Sequence, residues 1–167
     1  MARKILLTSF DVWMPHQVSN SSDDLLAEML RQKRLPDHTY CLRKLPVDFE
    51  QAPAQVISTI NLLQPDVIVC CGMAESRTVL TVESNGCYGG ETLKTTINLA
   101  KLVEPLMATQ VSDDAGQFVC NFLYYSTLKY LGQNPMNSRC LFVHVPPLNP
   151  GNQTLILRDF TAILAGI

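Results

Sequence analysis

Cleaving an acyl bond takes a nucleophile, a base to accept its proton and a group to orient the base, and this chain offers few candidates for the base. Its three histidines are His16, His38 and His144. His16 follows Met14-Pro15 in a polar stretch and His38 sits in Pro36-Asp37-His38, so both read as solvated loop residues. His144 lies within Leu141-Phe142-Val143-His144-Val145-Pro146, at the C-terminal end of an apolar strand. In α/β sheets, sites collect outside the carboxyl ends of the strands. Two roles stay open to it on this ground: a base, or a buried histidine satisfied by a backbone carbonyl.

Six cysteines stand at positions 41, 70, 71, 87, 120 and 140, with no Cys-x-x-Cys and no metal-ligand spacing to the histidines. They read as reduced thiols. Cys41, Cys70, Cys71 and Cys140 sit in strand-like runs and behave as small apolar residues. Cys120 differs, because Ser112-Asp113-Asp114-Ala115-Gly116-Gln117-Phe118-Val119-Cys120-Asn121 carries it from a strand into a helix. A helix N-terminus and a neighbouring imidazolium favour a thiolate. Asp113 and Asp114 oppose it, and with those carboxylates in solvent a lowered thiol pKa is expected. Glu83 ends another apolar run. With Cys120 and His144 it would complete a nucleophile, base and orienter, although a solvated carboxylate and a buried thiol fit the same letters.

The elements that must position these side chains follow from periodicity. Strands are expected at Lys4–Phe10, Thr39–Val47, Val67–Gly72, Thr78–Glu83, Met107–Ser112 and Cys140–Val145. Helices are expected from Ser21, with Ser21 and Asp24 at capping-box spacing, to Leu35-Pro36, and from an Asp48 cap to Pro65. Three more are expected over Thr92–Leu106, Gly116–Leu131 and Leu155–Leu164, and Asn85–Gly90 reads as a loop. Pro53 obscures where the second helix begins. Val67–Gly72 is apolar on both faces, as a central parallel strand should be. The alternation predicts one domain over residues 1–167, a three-layer α/β/α sandwich with a mostly parallel, mixed central sheet.

Composition narrows the function classes. The chain has 167 residues, 47% hydrophobic and 17% charged, which is too apolar for a disordered protein. Thirteen basic residues against fifteen acidic ones leave a net charge of −2, so no basic field exists for nucleic acid. The apolar runs are too short for a signal peptide or a membrane span, and the chain reads as cytoplasmic. Without a P-loop or dinucleotide glycine pattern, no cofactor is expected.

In order and spelling the motifs resemble the pyroglutamyl peptidase I (pyrrolidone-carboxylate peptidase) family of cysteine peptidases. The matching pieces are Ile5-Leu6-Leu7-Thr8-Ser9-Phe10, Asn20-Ser21-Ser22, Leu45-Pro46-Val47, and Pro65-Asp66-Val67 leading to Gly72. Arg77, Glu83, the run from Ser112 to Asn121, and Phe142-Val143-His144-Val145-Pro146 complete them. The resemblance implies Cys120 as nucleophile, His144 as general base and acid, and Glu83 as its orienting carboxylate. It further implies removal of an N-terminal pyroglutamate from peptides through a thioester acyl-enzyme, in a homo-oligomer. An aromatic pair, Phe10 and Trp13, would sandwich the lactam ring, with Phe118 and Val119 lining the same pocket.

The sequence also departs from that family. The entry loop reads Ser9-Phe10-Asp11-Val12-Trp13-Met14 where Gly-Phe-x-Pro-Phe-Gly is usual, and Asp113-Asp114 replaces uncharged residues. The stretch between Glu83 and Cys120 is short and lacks the family's Asp-Ala-Arg-Ile-Pro-Asp-Asn run. Two other readings therefore stand beside the peptidase: a hydrolase of another small amide or acyl group with the same triad, and a non-catalytic binding protein on this fold.

Overall fold

The computed structural model describes residues 3–167. Its elements run β1 (Ile5–Phe10), α1 (Ser21–Arg31), β2 (Thr39–Leu45), α2 (Gln51–Leu63), β3 (Val67–Met73) and β4 (Leu80–Glu83). They continue with β5 (Asn85–Tyr88), β6 (Glu91–Lys94), α3 (Leu99–Val103), β7 (Thr109–Ser112), α4 (Val119–Gln133), β8 (Arg139–Val145) and α5 (Gln153–Gly166). Six strands form a sheet in the order β2-β1-β3-β8-β4-β7. All neighbours pair in parallel except β4 and β8, which are antiparallel.

Strand periodicity sorts the side chains into two layers. Ile5, Leu7, Val67, Val69, Cys71, Leu141, Val143 and Val145 face α1, α3 and α5, packing on Leu25, Leu26, Met29, Phe160 and Ile163. Leu6, Ile68, Cys70, Cys140 and Phe142 face α2 and α4, packing on Val56, Ile60, Val119, Leu123 and Tyr124. Cys70 and Cys71 thus point to opposite faces, as neighbours in a strand must. The result is a helix–sheet–helix sandwich around a mostly parallel sheet, as expected.

The antiparallel step decides where the carboxylate lands. Because Thr81 opposes His144 and Glu83 opposes Phe142, Thr81 and Glu83 share the α4 face with His144. One residue of slip would turn Glu83 into the opposite layer.

Two boundaries differ from expectation. Asn85–Gly90 is no loop, and most of Thr92–Leu106 is not helical. Instead β5 and β6 form a hairpin in which Tyr88 pairs with Glu91, and Gly89 and Gly90 turn the chain at φ +57° and +82°. Two positive-φ residues are what a two-residue hairpin turn demands. The threonines at 92, 95 and 96 weaken a helix, and the helical segment begins only after Asn98, whose side chain accepts from the Lys101 N–H. The hairpin lies against α4, where Asn121 both accepts from Cys87 N at 2.8 Å and donates to Cys87 O at 2.7 Å.

Smaller differences concern the caps. Asn20, one residue before the expected box, caps α1 by accepting from Ser22 N. Asp48 does supply a side-chain acceptor to Glu50 N and Gln51 N, and Pro53 falls in the first turn of α2, where an N–H would have no intrahelical acceptor. Helix α4 begins at Val119 rather than Gly116, whose φ of +81° bends the approach to it.

Candidate active site

Cys120 is the second residue of α4, in the turn whose backbone N–H groups have no intrahelical acceptor. Phe118 precedes the helix in an extended conformation, with no side chain capping those donors. The thiol descends on the central strand β3 at Gly72, where a Cβ would stand 2.5 Å from the Cys120 sulfur and 2.9 Å from the Phe142 ring. Glycine is therefore the residue that lets the Cys120 thiol and the sheet approach. Gly72 also pairs with His144 across β3 and β8, so the thiol lies over the strand position beside His144, and both residues line one cavity.

Burial pushes the Cys120 thiol up to about 12, and the charges of Cys70 and Glu83 add to the rise. The sulfur's contact with its own backbone N–H works the other way and is outweighed. The expectation of a lowered thiol pKa is overturned: desolvation exceeds the help of the helix N-terminus.

His144 is the candidate base. It is buried, and its Nδ1 lies 2.7 Å from Glu83 Oε1. Burial pushes the Glu83 carboxyl up, but the hydrogen bond and charge of His144, the nearby Ser112 hydroxyl and the Arg77 hydrogen bond bring it below the usual carboxylate range. An ionised Glu83 can only accept, so Nδ1 carries the hydrogen and Nε2 keeps its lone pair for the pocket. Glu83 Oε1 also accepts from Arg77 Nη1 at 2.5 Å and Thr81 Oγ1 at 3.2 Å, and Tyr124 Oη donates to the Glu83 carbonyl at 2.9 Å.

A cavity of about 350 Å³ opens beside Cys120 and His144. It is lined by Phe10, Trp13, Gln17, Asn20, Val47, Met73, Glu75, Ser76, Ala115 and Phe118. Phe10 is buried in its wall, whereas Trp13 is 48% and Phe118 43% exposed at its mouth. Their two rings pack with centroids 4.6 Å apart. Phe10, Trp13 and Phe118 thus line one cavity, with Trp13 leaning on Phe118. Val119 is not part of this wall: it is buried in the α2–α4 core layer, because the first residue of α4 points at the sheet while Cys120 turns toward the cavity.

Residues that sequence reasoning passed over also shape the mouth. Gln17 Oε1 accepts from Trp13 N at 3.1 Å, and Gln17 and His16 reach across to Glu75 at 3.2 and 2.9 Å. Nothing in the letters links residue 17 to residue 75. Asn20 was visible as part of Asn20-Ser21-Ser22, and its side chain ties the loop through Asp11 O at 3.1 Å.

The sequence model of the pyroglutamyl peptidase family matches residues 3–86 and 92–157. This chain belongs to that family. Within the pyroglutamyl peptidase family, similar curated proteins include the pyrrolidone-carboxylate peptidases of Bacillus cytotoxicus, 26% identical over 170 residues, and of a Thermoanaerobacter species, 27% identical over 175. These matches cover 86% and 87% of this chain and 78% and 83% of the relatives. Among solved structures, pyroglutamyl peptidase I of Bacillus amyloliquefaciens superimposes with a TM-score of 0.83 at 21% identity, covering 98% of this chain and 96% of its own. A pyrrolidone carboxyl peptidase variant from Pyrococcus furiosus does so with a TM-score of 0.82 at 17% identity, over 97% and 96%. These likenesses make the fold of this family member that of the solved peptidases. The unmatched gap, residues 87–91, falls in the β5–β6 hairpin, within the region already noted as short.

Proposed function

We propose that this pyroglutamyl peptidase family member is a cysteine peptidase that removes an N-terminal pyroglutamyl residue from peptides. The observation that carries this reading is the buried 2.7 Å contact between His144 Nδ1 and Glu83 Oε1, beside a thiol seated on Gly72. As the Cys120 sulfur attacks the pyroglutamyl carbonyl, His144 Nε2 takes its proton and the carbonyl oxygen gathers negative charge. The uncapped N–H groups at the start of α4 are the donors this reading assigns to that oxygen. His144 then gives the proton to the departing amine, the C–N bond breaks, and a thioester remains on Cys120. Water attacks the thioester with His144 as base, releasing pyroglutamate and restoring the thiol.

The pocket suits an uncharged ring. Its walls are aromatic and aliphatic at Phe10, Trp13, Val47, Met73 and Phe118, with the Asn20 and Gln17 amides among them. Hydrolysis of a pyroglutamyl fluorogenic amide tests the proposal directly. Turnover by the wild type in reductant, abolished in Cys120→Ser, supports it. No turnover at high enzyme concentration, with a different acyl amide hydrolysed instead, would favour the alternative hydrolase.

A further inference from the structure

Arg77 stands outside the triad, yet its guanidinium joins Glu83 to the loop that leads into the Cys120 helix. Nη1 donates to Glu83 Oε1 at 2.5 Å and to Thr81 Oγ1. Nη2 donates to the Asp114 carbonyl at 2.7 Å, in the loop that leads into α4 and Cys120. The turn carrying Arg77 is closed by its own N–H to Ala74 O at 3.1 Å, and Ala74 N is tied to Val145 O at 3.0 Å, next to His144. One oxygen of a fully buried carboxylate thus receives three donors, while the other, Oε2, has none among the described residues.

We infer that Arg77 is a positioning residue: it clamps the Glu83 carboxylate against His144 and pins the loop that delivers Cys120. The inference rests on the triad reading proposed above. A planar fork with donors on two sides suits this task, because one side chain reaches a carboxylate and a carbonyl at once. The clamp has an electrostatic consequence. A carboxylate shared with a cation pulls less on the imidazole than a bare one, so Arg77 keeps His144 easier to deprotonate and available as a base at lower pH. The titratable groups around the dyad are Arg77 and, across the cavity, Glu75 from the turn after β3, Cys120 and Tyr124 from α4, and Cys70 from β3. Among these Arg77 is the permanent charge.

The test reads His144 directly by NMR titration of the histidine ring signals, so it needs no substrate. His16 and His38, both in exposed loops, serve as internal references. Arg77→Met should raise the His144 midpoint by about 1 pH unit, the size expected when a neighbouring opposite charge no longer offsets the carboxylate. The acid limb of kcat/KM on a pyroglutamyl amide should move up with it. Arg77→Lys, which keeps the charge but not the fork, should hold the midpoint near wild type while lowering kcat. If Arg77→Met does not fold, Arg77→Gln takes its place with the same expected rise. A His144 midpoint unmoved in the uncharged variant, or moved equally in Arg77→Lys, overturns the inference. Absence of pyroglutamyl turnover in the wild type overturns the functional reading instead and leaves the NMR result standing.

Discussion

Glu83 and His144 meet diagonally across the antiparallel pair of β4 and β8, with Oε1 2.7 Å from Nδ1 and the carboxylate fully buried. The meeting depends on a reversal of strand direction: β8 runs with β3, whereas β4 runs against it and with β7. Glu83→Gln keeps the side chain's size and loses its charge. It should leave the circular dichroism spectrum unchanged and lower kcat on a pyroglutamyl amide by about 10²-fold or more, the range of general acid–base contributions. A kcat within a few-fold of wild type would make Glu83 structural.

Desolvation of Cys120 sets the thiol's resting reactivity. With the thiol pushed up to about 12, almost none is ionised at pH 7, and the thiolate fraction should still be climbing at pH 10. Alkylation by a small neutral reagent, mapped by peptide mass, should therefore label exposed Cys87 before Cys120 at pH 7. Faster labelling of Cys120, with a midpoint below pH 8, would show a preformed thiolate.

Gly72 should tolerate no side chain. The added Cβ of Gly72→Ala would fall 2.5 Å from the Cys120 sulfur and 2.9 Å from Phe142, so one of them must move. Overpacking of this kind costs about 1–3 kcal/mol. Chemical denaturation should report that loss, and turnover should fall further than stability because the Cys120 thiol itself is displaced. Wild-type turnover in the variant would remove the thiol from Gly72's side.

Trp13 supplies an optical probe, being the chain's single tryptophan and standing at the pocket mouth against Phe118. Adding a pyroglutamate analogue should change its fluorescence, and Phe118→Ala should weaken that binding by removing the ring on which Trp13 rests. Demonstrated binding with an unchanged signal would seat the lactam away from Trp13.

Acid should loosen the fold through its buried carboxylates. Burial raises the pKa of Asp159, but hydrogen bonds from Ala108 N, Arg158 and Thr109 bring it below the usual range, and Glu83 ends there too. A carboxyl lowered in the folded state contributes stability above its unfolded pKa of about 4, and loses it as pH falls through the folded value. Asp159→Asn should therefore flatten the stability profile below pH 4, measured by urea denaturation at each pH. An unchanged slope would place the acid sensitivity in other groups.

What the letters carried and what they did not divides along physical lines. The sandwich was legible because Val67–Gly72 and Cys140–Val145 are apolar on both faces and amphipathic segments separate them. Cys120, His144 and Glu83 were legible as element ends and as motifs, but their convergence depends on sheet order and strand direction, which periodicity does not encode. The hairpin was missed because its signal, Gly89-Gly90, lies among residues that compose equally well as loop. The thiol's raised pKa was missed because helix position is visible in a sequence and desolvation is not. Val119 shows the same limit, since neighbouring residues of one helical turn point to the core and to the pocket.

Acylation of Cys120 is read by mass spectrometry of the acid-quenched enzyme, caught during turnover of a pyroglutamyl ester. One pyroglutamyl adduct is expected, mapped to the peptide containing Cys120 and absent in Cys120→Ser. Product release with the adduct on another residue, or with Cys120→Ser fully active, would contradict it.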